Sequence, residues 1–244
     1  MRTDVLHLIT MLILEASDAH IGQINSRFTR EPRYDWIHAF LDLAERRRPD
    51  AVVLAGDWDD PMCRRLEEIL NQEPSKSAHE HTHRVSEVLG SRLKVLVGNH
   101  DPSVEMYSRL YPRAEVGEWV TLDGVFYRHG HQHDQVQGIF DRLLGWFYPH
   151  LPFLLKLMLR PTPAQRLMRG RRRDYNLHCA RILDQAYLYQ EKEGIAGGVI
   201  GHCHRAHRDL NEPRGIPWVV DGGSIGCQGT YVEAVDGQVR VVQI

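Results

Sequence analysis

Short apolar stretches, each closed by polar or glycine-rich residues, recur along the chain at Ile9–Leu14, Ala51–Ala55, Lys94–Val97, Val125–Tyr127, Gly198–Ile200 and Trp218–Val220. They are too short for helices and rich in β-branched side chains, so they predict buried strands. Tyr34–Arg47 has the helical period instead, with Ile37, Phe40, Leu41 and Ala44 on one face and Pro49 as a stop. Val104–Leu110 and Asn176–Glu193 also predict helices. Alternation of strand and helix in the first half predicts parallel pairing and an α/β class. From about Glu118 the strands follow one another without helices between them, which predicts a second sheet packed on the first.

Gln137–Arg173 breaks this rhythm. Leu143–Leu144, Trp146–Phe147 and Leu151–Leu159 come first, then Arg160, Arg166, Arg169, Arg171, Arg172 and Arg173. It predicts an inserted helical segment, apolar first and basic after, within a single domain spanning residues 1–244. Pro149, His150, Pro152 and Lys156 interrupt a run already below ~18 residues, so it does not predict a membrane span. The apolar run Leu6–Leu14 follows Asp4 where a signal peptide wants basic charge, and predicts a strand.

Composition narrows the classes. A net charge of −2 gives no overall attraction to nucleic acid or anionic membrane, leaving only local patches to supply one. Cys63, Cys179, Cys203 and Cys227 include no CxxC pair, which predicts reduced thiols and a cytoplasmic location over a disulfide framework or thiolate zinc site. Histidine is the unusual residue, and its clustering is informative.

Five motifs appear in order, most directly after a predicted strand: Asp18-Ala19-His20, Gly56-Asp57-Trp58-Asp59-Asp60, Gly98-Asn99-His100-Asp101, His129-Gly130-His131 and Gly201-His202-Cys203-His204. Loops at the carboxyl ends of strands in open α/β sheets gather side chains from distant positions. Here they gather carboxylates, imidazoles and one carboxamide, a mixture suited to manganese, iron or zinc.

The series DxH, GDxxD, GNHD, HGH, GHxH resembles the calcineurin-like metallophosphoesterases, from Asp18 to His204. The resemblance implies a four-layer α/β/β/α sandwich. It assigns Asp18, His20 and His204 to one divalent ion, Asn99, His129 and His202 to a second, and Asp57 as the bridge between them. His100 would contact the phosphoryl group or help the leaving oxygen depart. The implied reaction is hydrolysis of a phosphoester or pyrophosphate bond by a metal-bridging hydroxide, with manganese first among the candidate ions. Asp60 is expected behind the ligands, Asp101 as an orienting or turn-capping group, and His131 and His133 beside them. No chemistry is expected from Cys203.

Within that family the segment Gln137–Arg173 is similar to the helical cap of the UDP-2,3-diacylglucosamine pyrophosphatases. This implies a lid over a lipid-linked or nucleotide-sugar substrate and peripheral membrane contact. Trp58-Asp59-Asp60-Pro61 and His131 depart from that subfamily's pattern. A nucleotide phosphodiesterase, a nuclease or a protein phosphatase stays open as an alternative, with nucleic acid among the candidate partners. A non-catalytic protein-binding scaffold is disfavoured because no expected ligand position is missing. The run His79-Glu80-His81-Thr82-His83 looks like a metal site but lies in a polar stretch, and is expected to be a solvated loop.

Overall fold

The computed structural model describes residues 11–23, 31–61, 65–134, 172–195, 197–204, 206–209 and 218–244. Its first sheet is built around β1 (Leu12–Ala16), β2 (Ala51–Ala55), β3 (Leu93–Leu96) and β4 (Glu115–Gly117), all parallel, with Leu14 opposite Val52 and Leu54 opposite Val95. Parallel pairing needs crossovers, and helices supply them: α1 (Tyr34–Arg47), then α2 (Leu66–Asn71) with α3 (Ser75–Leu89), then α4 (Val104–Leu110).

The second sheet holds β5 (Trp119–Leu122), β6 (Val125–Arg128), β7 (Gly197–Ile200), β8 (His207–Asp209) and β9 (Trp218–Asp221), in the order β5-β6-β7-β9-β8. Before β7 runs α5 (Arg172–Glu193), and after β9 comes the short α6 (Ile225–Gln228). The chain then returns to the first sheet as a hairpin, β10 (Thr230–Val235) and β11 (Gln238–Gln243), with β10 antiparallel to β1.

Strand β2 shows why the apolar runs do not alternate. Val52 and Leu54 pack outward against Ile37, Phe40 and Leu41 of α1, whereas Ala51, Val53 and Ala55 pack inward against Val125, Tyr127, Val199 and Val220 of the second sheet. Each fully buried Val or Leu contributes roughly 1.5–3 kcal/mol. On the far side, Cys179, Ile182, Leu183 and Ala186 of α5 cover Ile200 and Val219. The result is the four-layer α/β/β/α sandwich that the family resemblance implies.

Two expectations are corrected. The first strand runs Leu12–Ala16 and carries the buried Glu15, a polar residue that ended the apolar run in the sequence. The His79–His83 stretch is part of α3, not a solvated loop, and His79 and His81 are buried. Its inner face mixes Ala78, Val85 and Leu89 with polar groups that find partners: Thr82 Oγ1 accepts from Trp58 Nε1 at 3.2 Å, and His79 Nε2 meets Asp59 Oδ1 at 2.6 Å. Buried polar side chains hide a helical period that apolar residues would have displayed. The segment Gln137–Arg173 lies outside the described residues, except that Arg172 and Arg173 open α5. No helix among the described residues is long and apolar enough to cross a membrane.

Candidate metal centre

Strands β1, β2 and β3 of one sheet and β6 and β7 of the other end at the same edge of the sandwich. Each is followed within three residues by a motif: Asp18 and His20 after β1, Asp57 after β2, Asn99 and His100 after β3, His129 after β6, His202 and His204 after β7. The turns are tight. Asp18, His20, Asp57, His202 and His204 all have positive φ, between 49° and 74°. Non-glycine residues seldom adopt that region, and such strain concentrates at functional sites. The motif glycines leave room for the side chains: a Cβ on Gly98 would lie 2.2 Å from Asp57 Oδ1, and one on Gly201 2.6 Å from Asp18 Oδ2.

The side chains form two groups. In the first, His204 Nε2 lies 3.1 Å from Asp18 Oδ1 and 2.9 Å from His20 Nε2. In the second, His129 Nε2 lies 3.3 Å from Asp57 Oδ2 and 3.2 Å from Asn99 Oδ1, with His202 alongside. Asp57 Oδ2 is also 3.9 Å from His20 Nε2, so Asp57 stands between the groups.

Each carboxylate divides its oxygens in the same way. Asp18 Oδ2 accepts from the His202 N–H at 3.0 Å, and Asp57 Oδ1 accepts from the His100 N–H at 2.8 Å. The other oxygen of each, Asp18 Oδ1 and Asp57 Oδ2, turns to the imidazoles. The histidines are similarly disposed. His129 Nδ1 donates to the Ala55 carbonyl at 3.1 Å, which leaves Nε2 as the ligating nitrogen.

The donor set fits divalent metal ions on the structure's own terms. Asp18 Oδ1 is buried with no hydrogen bond, and the carboxylates and imidazoles of Asp18, His20, His129, His202 and His204 converge around Asp57, with Asn99 beside His129. Charge points the same way. Burial alone would raise Asp18 and Asp57, yet His204 and His129 respectively hold them well below the carboxylate range. Burial opposes protonation of His129, but Asp57 outweighs it and raises the ring to about 9. The carboxylates demand positive charge at this spot.

His100 lies between the two groups, within reach of both His20 and Asp57. Its Nδ1 is 3.2 Å from Asp60 Oδ1, and its ring lies edge-on to His20 at 5.1 Å. Burial disfavours its charge, but Asp57 and Asp60 raise it to about 9. Asp60 also lies 3.7 Å from His20 Nδ1, behind both rings. Asp101 accepts from the N–H groups of Gly98, Asp57 and Asp59 and from Tyr107 Oη, and so orients the second and third motifs. His131 faces the site, its ring 5.4 Å from that of His129, and burial lowers it to about 3. His133 packs on Tyr189 instead. Cys203 turns away, into the core with Cys179.

Asp134 and His178 escaped the sequence reading. Asp134 Oδ2 accepts from His202 Nε2 at 3.2 Å and from His178 Nε2, on α5, at 2.9 Å. With Nε2 so engaged, Nδ1 is the ring nitrogen left to His202 for the group with Asp57 and His129. Asp134 follows the fourth motif closely enough to have been suspected, whereas His178 carries no local signal.

The sequence model of the calcineurin-like phosphoesterases matches residues 11–206. The chain belongs to that family. Its centre is therefore that of a metal-dependent phosphoester hydrolase. No curated protein matches by sequence. Among solved structures the chain is similar to Yfce, a phosphoesterase from E. coli, at 16% identity, covering 96% of this chain and 100% of that one, with a TM-score of 0.45. It is similar to a predicted phosphoesterase from Streptococcus pneumoniae at 14% identity, covering 96% and 90%, with a TM-score of 0.43. Vps29 complexed with zinc, from Entamoeba histolytica, is similar at 14% identity, covering 96% and 98%, with a TM-score of 0.41.

Proposed function

We propose that this family member is a binuclear enzyme that cleaves a phosphate diester or pyrophosphate bond. The observation that carries it is the gathering of Asp18, His20 and His204 beside Asn99, His129 and His202, with Asp57 between them. Two divalent ions, manganese foremost with iron or zinc as alternatives, would supply Lewis acidity and a water acidified toward neutrality when bound there.

The chain's own groups do the rest. Asp18, His20 and His204 would hold one ion, Asn99, His129 and His202 the other, and Asp57 would be shared between them. Asp101 and Asp134 keep Asp57 and His202 in their turns, so that the geometry is set before substrate arrives. Asp57 and Asp60 favour the protonated form of His100. Its Nδ1 is engaged by Asp60, leaving Nε2–H to donate to a phosphoryl oxygen or to the departing oxygen.

The proposed substrate is a lipid-linked or nucleotide-sugar phosphoanhydride of the UDP-2,3-diacylglucosamine kind, met at the membrane surface from the cytoplasm. Support comes from the Gln137–Arg173 composition, apolar residues for acyl chains and arginines for phosphates. A manganese-supplemented panel of bis-p-nitrophenyl phosphate, nucleotides and an acylated UDP-sugar tests it. Highest kcat/KM on the acylated UDP-sugar is expected. Preference for free nucleotides or nucleic acid would move the assignment to a nucleotide phosphodiesterase or nuclease.

A further inference from the structure

The run His79–His83 carries three histidines, and the metal centre uses none of them. His79 is accounted for by Asp59 and by Tyr111, whose hydroxyl meets His79 Nδ1 at 2.9 Å. His81 faces the other way, toward α1. Its side chain is only 6% exposed, and its Nε2 has no hydrogen-bond partner. That nitrogen points between two carboxylates about one turn apart on α1, with Asp42 Oδ1 at 3.4 Å and Glu45 Oε1 at 3.8 Å. The three donor atoms lie within 4.8 Å of one another. On the opposite edge of the ring, His81 Nδ1 is 2.9 Å from His38 Nδ1.

A buried polar atom without a partner is costly, so its orientation calls for a ligand. Donors bound about 2.0–2.2 Å from one zinc-class ion sit about 3.0–3.6 Å from each other, by simple geometry. The spacing of Nε2 from the two oxygens is close to this and makes no hydrogen bond. Burial, followed by Arg84, holds the His81 imidazole below its ordinary range, so the ring is in the neutral form that ligates metals. His38 Nδ1 can accept from His81 Nδ1–H, and in that tautomer the Nε2 lone pair faces the two carboxylates, where a cation would complete the set.

We propose that Asp42, Glu45 and His81 form a peripheral divalent-cation site that clips α1 to α3, with His38 fixing the tautomer of His81. One imidazole and two carboxylates, with Asp42 half-exposed so that water completes the shell, suit zinc above magnesium or calcium, which prefer oxygen alone. The donors meet only in the folded chain, so the ion stabilises it by mass action. Arg84 competes for the site: its Nε donates to Glu45 Oε1 at 2.8 Å, and its side chain is exposed enough to swing clear. Arg84 therefore weakens the affinity and keeps the ion displaceable.

The test uses the full chain in equilibrium dialysis against zinc, with bound metal read by elemental analysis. Wild type is compared with Asp42→Asn/Glu45→Gln and with Arg84→Ala. The double variant should hold about one equivalent less than wild type and show a smaller zinc-induced rise in melting temperature. Arg84→Ala should bind that equivalent several-fold more tightly. Manganese-supported diester hydrolysis should be unchanged in both. A difference between proteins is read, so the outcome is independent of how many ions the catalytic centre holds. Equal zinc content in folded wild type and double variant overturns the proposal, as does unchanged zinc affinity in Arg84→Ala. His81→Gln should match the double variant. Should burial of the amide unfold it, the more exposed carboxylate pair still decides the matter.

Discussion

Asp57 and Asp60 face His100 and favour its charged form, and its ring Nδ1 is engaged by Asp60. His100→Ala should therefore lower kcat by about 10²–10⁴-fold while bound metal stays at the wild-type level. Elemental analysis beside steady-state kinetics checks this, and loss of metal together with activity would make His100 a ligand. Asp134 makes the opposite case. It touches no substrate position but holds His202 by Nε2. Asp134→Ala should weaken binding of the second ion by about 10–100-fold in a calorimetric titration of metal-free protein. Undiminished affinity would show that His202 needs no support. The gathered side chains were legible in the sequence because each sits in a short motif behind an apolar run. Asp134 and His178 were not, because a contact between a loop after β6 and a helix 44 residues on leaves no local pattern.

At the scale of elements, the hairpin of β10 and β11 completes the first sheet and ties it to α1. Glu233 on β10 accepts from Arg240 Nε at 2.9 Å and also pairs with Arg47 of α1. Burial raises Glu233, but these two arginines outweigh it and leave the carboxyl below its ordinary value. A carboxyl depressed in the folded state stabilises above its unfolded pKa, and the contribution is lost as pH falls through the folded value. Glu233→Gln should thus melt lower than wild type near about pH 7 and converge with it by about pH 3. A gap that persists in acid would assign the loss to packing. The sequence reading passed over the hairpin, although Asp236-Gly237, both at positive φ, gives it a local turn signal. Helix α3 was not readable, because His79, His81, Thr82 and Ser86 occupy its buried face. Strand β1 was misjudged for the same reason at Glu15. A polar side chain buried with a tertiary partner or a special environment defeats any reading by hydropathy.

For the whole molecule, the sandwich brings five strand ends to one edge, and everything the chemistry needs lies there. The parallel half was predictable from strand–helix alternation. The return of β10 beside β1 was not, since strand order depends on which edge is free when the last residues arrive. On the proposed reading, substrate choice belongs to the Gln137–Arg173 stretch, which lies in the sequence between His129 and His202. Replacing Leu154, Leu155 and Leu157 with Ser, or Arg169 with Ala, should leave hydrolysis of a small chromogenic diester nearly intact and lower kcat/KM on the large acylated substrate. Equal losses on both substrates in folded protein would place those side chains in the core.

The central claim is that seven gathered side chains make two metal positions sharing Asp57, and chelation followed by manganese titration tests it most directly. Metal-free protein should not hydrolyse bis-p-nitrophenyl phosphate. Activity should return as the centre refills, reaching its plateau at about two ions per centre, with Asp57→Ala folded but inactive throughout. Wild-type turnover by the chelated protein, or by Asp57→Ala, would contradict the account.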